Sequence, residues 1–365
     1  MPYKLRTVMF PLFLAIPMKV FKTLGLDFEA VVKYSPTMIH TIWIIVMDWN
    51  FFQLGNKTVG KSGTDIAMSL YLFNHTFGQQ MHRLFTCSYE AILGVISLNY
   101  FMDVTSHFDK NFGMVVILQS ISFIIRNTSP IGWVVILLYK ACYSKGFNPN
   151  FKLPEFGSMI QNYFLGFFAF FLPIFLISIM LDTEYYEGKL TVVPYNFINV
   201  NVFEGLSQTF GADSPYRYLN LEIPSRFNIY TPVLILGICH HYYSSERKRV
   251  VPYLIYYSVT ILVFLSCISH KEPKFLLPIF PPFFLFIGQY LADTCVKKRP
   301  GFVKFYVIFG VVLECLINAY FVHYHEVGAF VPMAYIKSQY PGYQSLITNC
   351  KFEANYLSLN HRKGD

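Results

Sequence analysis

Long apolar runs separated by short polar turns cover most of the chain. A membrane-spanning helix needs about 20 mainly apolar residues, and this pattern predicts spans near 36–54, 64–80, 85–102, 112–126, 129–143, 159–181, 229–244, 250–268, 275–295 and 303–323. A further apolar stretch, 7–26, is interrupted by Pro11, Pro17 and Lys19. A span, a re-entrant piece and a helix at the membrane interface all stay open for it. The pattern predicts an all-α polytopic membrane protein with about ten spans.

Composition supports the same class of protein. Of the 365 residues, 54% are hydrophobic and only 14% are charged, whereas a soluble domain carries about 25% charged residues. Too little polar surface remains to cover a water-facing globule, so we expect membrane lipid as a partner. The seven scattered cysteines show neither a Cys-X-X-Cys pair nor the Cys/His spacing of a zinc site. We therefore predict neither a metal nor a cofactor.

The distribution of positive charge along the chain indicates how the spans are oriented in the membrane. The formal net charge is +8, but the basic residues stand in short clusters between apolar runs, which argues against a nucleic-acid partner. Alternating the spans places all these clusters on one face, which the positive-inside rule makes cytoplasmic. The clusters are Lys57/Lys61, Lys140/Lys145/Lys152, Arg247/Lys248/Arg249 and Lys297/Lys298/Arg299.

The opposite, non-cytoplasmic face receives the most polar segments, 182–228 and 269–274, and the tail from about residue 324. Segment 182–228 is the only large hydrophilic element of the chain. Its length and its Asn, Asp and Tyr content suit contact with a sugar or a lipid headgroup. A solvated connector is the alternative interpretation.

A charged cluster, Ser-His-Lys-Glu-Pro-Lys, begins at Ser269 and leads directly into an apolar run. Ionisable groups this close to hydrocarbon are costly, which favours a functional role. His270, Lys271 and Lys274 offer cationic donors for a phosphate, and Glu272 can orient them or accept a proton. An ordinary interfacial turn, with lysines that extend towards water, is the alternative.

Three further charges lie inside or at the ends of apolar runs. Arg83 and Glu90 are seven residues apart, so they share one face if the segment is a continuous helix. Arg126 ends an apolar run just before Asn127. Either these side chains belong to a site, or they form buried polar ties between helices.

The cluster at 269–278 resembles a known signature. His-Lys-Glu-Pro-Lys-Phe is similar to the His-Lys/Gln-Glu-X-Arg-Phe motif of the endoplasmic-reticulum mannosyltransferases that use dolichyl phosphate mannose (glycosyltransferase family 22). Weaker similarities follow the family's order along the chain, at 5–11, 83–90, 125–128, 196–201 and 211–218. Lys274 replaces an arginine of the family pattern, which keeps the charge and loses bidentate geometry. Cys87 stands where the family has Asn, and Asn127 where it has Pro.

This resemblance implies a GT-C-type bundle of transmembrane helices. The transferase domain would cover 1–330 with a luminal loop at 182–228, and 331–365 would be a luminal C-terminal tail. The resemblance also implies that the expected catalytic carboxylate lies upstream of Met1, which leaves Glu272 as the candidate within this sequence. The implied donor-phosphate ligands are His270, Lys271, Lys274, Arg83 and Arg126; the implied structural or acceptor-site residues are Glu90, Asn196, Tyr216 and Arg217.

The implied activity is α-mannosyl transfer from dolichyl phosphate mannose to a GPI-anchor precursor glycolipid. The protein would be a multi-pass protein of the endoplasmic-reticulum membrane and would add the third or the fourth mannose. Two alternatives stay open. One is a mannosyltransferase that assembles the lipid-linked precursor of N-glycans, and the other is a non-catalytic membrane protein that binds or transports lipid-linked glycans.

Overall fold

The computed structural model describes residues 4–26, 28–105, 109–143, 153–205, 211, 213–247, 252–296 and 300–321, and every regular element in them is helical. Residues up to Val311 form one compact unit, and a second unit, described for 312–321, begins at Val312. The predicted tail 331–365 lies outside the described residues, as do Lys145, Lys152, Lys248 and Arg249 and the basic cluster at 297–299.

The α-helices of the described residues are α1 (Met9–Thr23), α2 (Glu29–Thr58), α3 (Gly60–Phe73), α4 (His75–Met81), α5 (Thr86–Met102), α6 (Lys110–Ile125), α7 (Pro130–Tyr143), α8 (Leu153–Tyr185), α9 (Val193–Ile198), α10 (Ile223–Phe227), α11 (Thr231–Arg247), α12 (Tyr253–Cys267), α13 (Phe280–Tyr290) and α14 (Pro300–Tyr320). Short 3₁₀ or π-helical turns cover Asn199–Phe203, Tyr218–Glu222, Asn228–Tyr230, Pro273–Ile279 and Leu291–Val296.

Within the described residues, each predicted span falls mainly on helical structure, and one span is interrupted. The predicted span 64–80 is divided between α3 and α4, because Asn74 caps a new helix: its side chain accepts a hydrogen bond of 2.9 Å from the backbone N–H of Phe77. The stretch 7–26 contains α1, a helix without buried side chains among its residues.

Fewer helices than predicted satisfy the criteria for a membrane span by length and composition. Within the described residues, Gln161–Tyr185, Pro273–Thr294 and Pro300–Tyr320 are long and apolar enough, and α4 with α5, bent by 107°, is a fourth candidate. Shorter apolar helices occupy Lys110–Ile125, Pro130–Lys140 and Tyr253–Cys267. The chain thus has the character of a membrane protein, and the number of about ten spans stays a prediction.

Helices α5 and α13 form the centre of the bundle. Nearly every residue of α5 between Cys87 and Phe101 is buried, and so is α13 from Phe280 to Gln289. Helix α5 packs against α2, α6 and the turn Pro273–Ile279, while α13 packs between α3 and α11. A helix that is apolar on all sides is expected in such a central position.

Glycines allow α13 to approach its neighbours closely. A Cβ atom at Gly237 of α11 would lie 2.5 Å from the carbonyl oxygen of Phe286. A Cβ atom at Gly63 of α3 would lie 3.3 Å from the Cα atom of Gln289. Small residues at such crossings are typical of helices packed inside a membrane.

The peripheral helices turn apolar side chains outwards. Met180 and Ile177 of α8 are 71% and 53% exposed, and Phe305 of α14 is 66% exposed. Helix α2 has the same inverted arrangement, because Met38 and Trp49 are exposed while polar His40 is fully buried. Apolar surfaces of this extent require lipid or another protein as a neighbour.

Segment 182–228, predicted as a loop, is largely helical where the structure describes it. Helix α8 continues to Tyr185, and α9, α10 and their adjoining helical turns follow. The hydropathy pattern missed these elements because they are only a few residues long, and too few side chains establish a period in such a short helix.

Candidate functional site

Four turns that are far apart in sequence meet at the N-terminal end of α5. The turn before α5 meets the charged segment 269–274, since the Lys274 ammonium lies 5.0 Å from the centre of the Phe85 ring. The turn between α6 and α7 reaches the same place, since the Arg126 guanidinium lies 4.7 Å from the centre of the Phe275 ring. The fourth turn is attached by a 2.9 Å hydrogen bond from the backbone N–H of Asp213 to the carbonyl oxygen of Ser269.

A buried ion pair lies at the centre of this arrangement. Arg126 Nε is 2.5 Å from Glu90 Oε2, and the two side chains are only 12% and 8% exposed. Arg126 Nη1 also donates to the Cys87 sulfur at 2.9 Å. Arg126 follows directly after α6, and Cys87 and Glu90 lie in the first turns of α5. Isolated charges are costly to bury, so each of the two side chains is a favourable neighbour for the other.

A small cavity lies next to this ion pair. Glu90, Arg126 and Thr128 provide its polar lining, and the remaining lining is apolar. The apolar lining residues are Ile131, Ile261, Phe264, Leu265 and Phe275.

Glu272 connects His270 and Lys274, the two outer basic side chains of the charged segment. Its Oε1 lies 2.9 Å from His270 Nε2, and its Oε2 is paired with the Lys274 ammonium. Burial raises the pKa of the Glu272 carboxyl, but the hydrogen bonds from Lys274 and His270 outweigh this effect and hold the pKa below its usual value. Glu272 is therefore an ionised clamp at neutral pH.

Lys271 is more deeply buried than Lys274, and its ammonium group contacts backbone carbonyls instead of Glu272. It is only 4% exposed, and its ammonium donates to the carbonyl oxygens of Ser266, at 3.0 Å, and Ile268. These carbonyls lie at the C-terminal end of α12, where a cation is favourable. Burial lowers the pKa of the Lys271 amine. The sequence pattern alone does not separate this buried lysine from the more exposed Lys274.

The segment around Arg217 is held by a network of charges. Arg217 Nη1 lies 2.5 Å from Asp213 Oδ1, and its Nε lies 3.2 Å from the buried carboxylate of Glu222. Glu222 also pairs with Arg226 at 3.2 Å. Arg226 in turn donates to Thr76 Oγ1 at 3.3 Å, which ties the segment to α4.

Tyr218 is a site residue that the sequence analysis did not single out. It is fully buried, its hydroxyl donates to the carbonyl oxygen of Glu272 at 3.4 Å, and the Lys271 ammonium lies 5.7 Å from its ring centre. Phe275 and Glu222 were missed in the same way. Tyr218 lies within a stretch that carries the family resemblance, but only the fold distinguishes it from its exposed neighbour Tyr216.

The structure brings some predicted residues together and separates others. Glu90, Arg126, His270, Lys271, Glu272 and Lys274 share the site, and Arg217 adjoins it. Arg83 and Glu90 do not share a helix face: the chain bends between α4 and α5, and Arg83 lies exposed in that turn. The condition of one continuous helix, under which the two residues would share a face, is therefore not met. Tyr216 is 65% exposed, and Asn196 lies on α9.

A second polar junction joins the start of the chain to the end of α8. Asp182, which is 1% exposed, accepts hydrogen bonds from Thr7 Oγ1 at 2.9 Å and from the backbone N–H of Val8 at 2.8 Å. The Tyr186 hydroxyl donates to the carbonyl oxygen of Arg6 at 2.8 Å. This junction fixes the predicted motif at 5–11, and the sequence analysis treated Asp182 only as the start of a loop.

Among the described residues, no group of three or more His, Cys, Asp or Glu side chains is arranged to hold a metal ion. The polar side chains of the site are charged, hydroxyl and thiol groups. They offer cations, carboxylates and an adjoining apolar wall.

Comparison with known proteins identifies relatives along almost the whole chain. A model of the Alg9-like mannosyltransferase family matches residues 2–349. GPI mannosyltransferase 3 of Candida albicans is 25% identical over 352 residues, which are 95% of this chain and 64% of that protein. GPI alpha-1,2-mannosyltransferase 3 of Homo sapiens is 25% identical over 300 residues, which are 82% of this chain and 50% of that protein. The chain thus spans between half and two thirds of the length of these curated relatives.

Solved structures agree on the fold. ArnT from Cupriavidus metallidurans bound to undecaprenyl phosphate has a TM-score of 0.57 at 10% identity, and the match covers 87% of this chain and 61% of that one. The apo state of ArnT has a TM-score of 0.53 at 12% identity, covering 86% and 54%. The helical bundle is therefore of the GT-C type that the resemblance implied.

Proposed function

This chain belongs to the Alg9-like mannosyltransferase family, and from that premise we propose that its protein transfers mannose from dolichyl phosphate mannose to a GPI-anchor precursor. The names of the relatives from Candida albicans and Homo sapiens support the GPI branch. Both names carry the number 3, and one specifies an alpha-1,2 linkage. Of the two additions left open by the sequence, we therefore propose the third mannose, joined by an α-1,2 bond. We place this reaction in the lumen of the endoplasmic reticulum.

The observation that carries this proposal is the convergence of the charged segments beside an apolar cavity. Three cations, Arg126, Lys271 and Lys274, accompany two carboxylates, Glu90 and Glu272. The surplus of positive charge suits a phosphate group, and the apolar side chains beside it suit the hydrocarbon attached to that phosphate.

In the proposed reaction a hydroxyl of the acceptor glycan attacks C1 of the donor mannose, and dolichyl phosphate leaves. A carboxylate takes the hydroxyl proton, and cations stabilise the negative charge that develops on the departing phosphate. We assign that stabilisation to His270, Lys274, Arg126 and Arg83. Lys271 contributes through the backbone it holds, because its ammonium is engaged with two carbonyl groups.

Replacing Lys274 tests this assignment. In microsomes that contain the product of the complete gene, Lys274→Ala should reduce the rate of mannose transfer by about 10²–10³-fold, because a preorganised charge at the leaving group is lost. Lys189→Ala is the matched control: Lys189 is exposed outside the charged cluster, and its removal should leave the rate unchanged. Equal rates in the two variants would remove Lys274 from the proposed role.

Complementation tests the reaction itself. The complete gene should restore GPI synthesis in cells blocked at the third mannose, and should fail in cells blocked at the fourth mannose or in N-glycan precursor assembly. The readout is the glycan length of the accumulated lipid precursor. Rescue of only the N-glycan defect would transfer the protein to the alternative branch of the family.

A further inference from the structure

We infer that six exposed apolar side chains of segment 186–222 form a surface that rests on the lipid bilayer beside the candidate site. These residues, called here the outer apolar surface, are Leu190, Tyr195, Ile198, Phe203, Leu219 and Leu221. Their exposed fractions range from 48% to 80%, and no family motif identified in the sequence depends on them. The inference does not depend on mannose transfer, since it requires only that the protein is embedded in a membrane.

The end of α8 fixes the level at which this segment begins. The candidate span Gln161–Tyr185 has 25 residues, which corresponds to a length of about 37 Å at 1.5 Å per residue. Because the hydrocarbon core of a bilayer is about 30 Å thick, the span is long enough for Tyr185 to reach the headgroup region. Leu190 follows only five residues later.

A sharp turn then redirects the chain away from the axis of α8. Glu187 and Gly188 both adopt left-handed backbone conformations, with φ angles of 63° and 73°. The backbone N–H of Gly188 donates to the carbonyl oxygen of Thr183 at 2.9 Å, as in a helix C-cap. The segment therefore turns at the end of the span instead of continuing along the helix axis into water.

A second attachment holds the far end of the segment at the same boundary. Asp213 donates its backbone N–H to Ser269, and the buried Tyr218 donates its hydroxyl to the backbone of Glu272. Pro273, the next residue, begins another candidate span. The segment is thus anchored at both ends where spans meet the headgroup region.

The helical turns of the segment expose apolar groups on the side away from the protein. Val193 and Val200 are buried, whereas Tyr195 and Ile198 are 67% and 48% exposed. At about 100° per residue, the exposed pair lies opposite the buried pair.

The same separation recurs near the site. Tyr218 and Glu222 are buried, while Leu219 and Leu221 between them are 51% and 56% exposed. Polar groups at the end of the preceding turn bond to one another, since Asn199 Nδ2 donates to Glu204 Oε1 at 2.9 Å. Aromatic and aliphatic side chains on short helices at this level are typical of contact with the headgroup–acyl boundary.

The lipid-facing surface of α8 leads directly into the outer apolar surface. Met180 and Tyr185 are 71% and 59% exposed near the end of the span, and Leu190 is 80% exposed after the turn. The bilayer that covers Met180 is therefore the neighbour expected for Leu190 and Phe203 as well. This contact would keep the candidate site at the membrane surface, where a lipid-linked substrate has its headgroup.

Photo-crosslinking to lipid tests the inference. The photoreactive residue p-benzoylphenylalanine is placed singly at Phe203, at Leu219, at Met180 as positive control and at Glu204 as negative control. Each complete protein is purified, checked for a monodisperse gel-filtration peak, and reconstituted in phosphatidylcholine vesicles that carry an alkyne-tagged lipid. Adducts at Phe203 and Leu219 should form in yields similar to Met180, and the Glu204 yield should be about tenfold lower, because that charged position stays in water.

The outcomes separate clearly. Lipid adducts at Met180 without adducts at Phe203 and Leu219 would overturn the inference. Adducts with a second protein molecule in place of lipid would also overturn it and would assign the surface to a protein interface. The Leu219 position keeps the test decisive if the Phe203 variant does not fold, and neither result depends on which sugar the enzyme transfers.

Discussion

Arg126 connects three parts of the candidate site through one guanidinium group. It pairs with Glu90, donates to Cys87 and lies over the Phe275 ring. The Glu90–Arg126 pair is buried, so each partner depends on the other for compensation of its charge. A predicted phosphate ligand is therefore also a structural tie between α5, α6 and the turn after α12.

Removing Glu90 should destabilise the protein strongly. Glu90→Ala leaves the Arg126 charge buried without its carboxylate, which typically costs about 3–5 kcal/mol. The measurement is thermal unfolding of the complete protein in detergent micelles. Glu204→Ala is the control, because Glu204 is exposed and bonds only to Asn199 among the contacts described. A melting temperature as high for Glu90→Ala as for the control would contradict this account.

The contacts of Glu272 with His270 and Lys274 should make the stability of the protein depend on pH. The folded-state pKa of Glu272 lies below the ordinary carboxyl value of about 4.3, so its ion pairs contribute above that pH and are lost as the pH falls through the lower, folded-state pKa. Glu272→Gln should therefore lower the melting temperature at about pH 7 and have less effect at about pH 3. If Glu272→Gln lowered the melting temperature by the same amount at both pH values, the stabilising role of the ionised Glu272 carboxylate would be contradicted.

At the scale of elements, the two ends of α5 carry different side-chain chemistry. Its N-terminal turns hold Cys87 and Glu90 at the candidate site. At its C-terminal end, the Lys57 ammonium lies 2.6 Å from Asp103, and Lys140 donates to the carbonyl oxygen of Phe101 at 3.0 Å. These cations complete the helix end, where unpaired carbonyl groups favour positive charge.

The glycine contacts of α13 give a prediction at the same scale. Gly237→Ala places a methyl group against the backbone of Phe286, so α11 and α13 must move apart, at a cost of about 1–3 kcal/mol. Gly78→Ala is the matched control in α4, because no atom lies within 4 Å of the added Cβ. Thermal unfolding in micelles compares the two variants, and equal melting temperatures would show that the close approach has no energetic role.

At the scale of the whole molecule, Lys57 and Lys140 lie at one end of α5 and the candidate site lies at the other end. The helix has 17 residues and is therefore about 25 Å long at 1.5 Å per residue, comparable to the thickness of a bilayer core. The positive-inside rule assigns the Lys57 and Lys140 end to the cytoplasm. We therefore propose that the candidate site faces the opposite compartment, the lumen.

Mapping of tag accessibility should reproduce this arrangement. Tags inserted at 189–190 and at 269–270 should be protected in sealed microsomes, and a tag at 60–61 should be digested by added protease. The prediction follows because the hydrogen bond between Asp213 and Ser269 joins the first two segments, whereas Lys57 lies at the other end of α5. If one of the first two tags were protected and the other digested, the two segments would lie on different faces of the membrane. That result would exclude the proposed site.

The sequence by itself determined the membrane character, the approximate positions of the long apolar helices and the chemical types of residue at the site. Apolar runs have no stable alternative to helices in lipid, so hydropathy locates them. The charged residues 269–274, Glu90 and Arg126 stand out because charge inside an apolar run is costly. The family motif added an expected order of these segments.

Only the tertiary structure decided which of those residues meet and how each is used. The bend before α5 moved Arg83 away from the face of Glu90, and the end of α12 turned Lys271 inwards to cap carbonyl groups. Tyr218 became a buried partner of Glu272 while its neighbour Tyr216 stayed exposed. Such distinctions depend on contacts between segments that are distant in the chain, and local periodicity carries no information about those contacts.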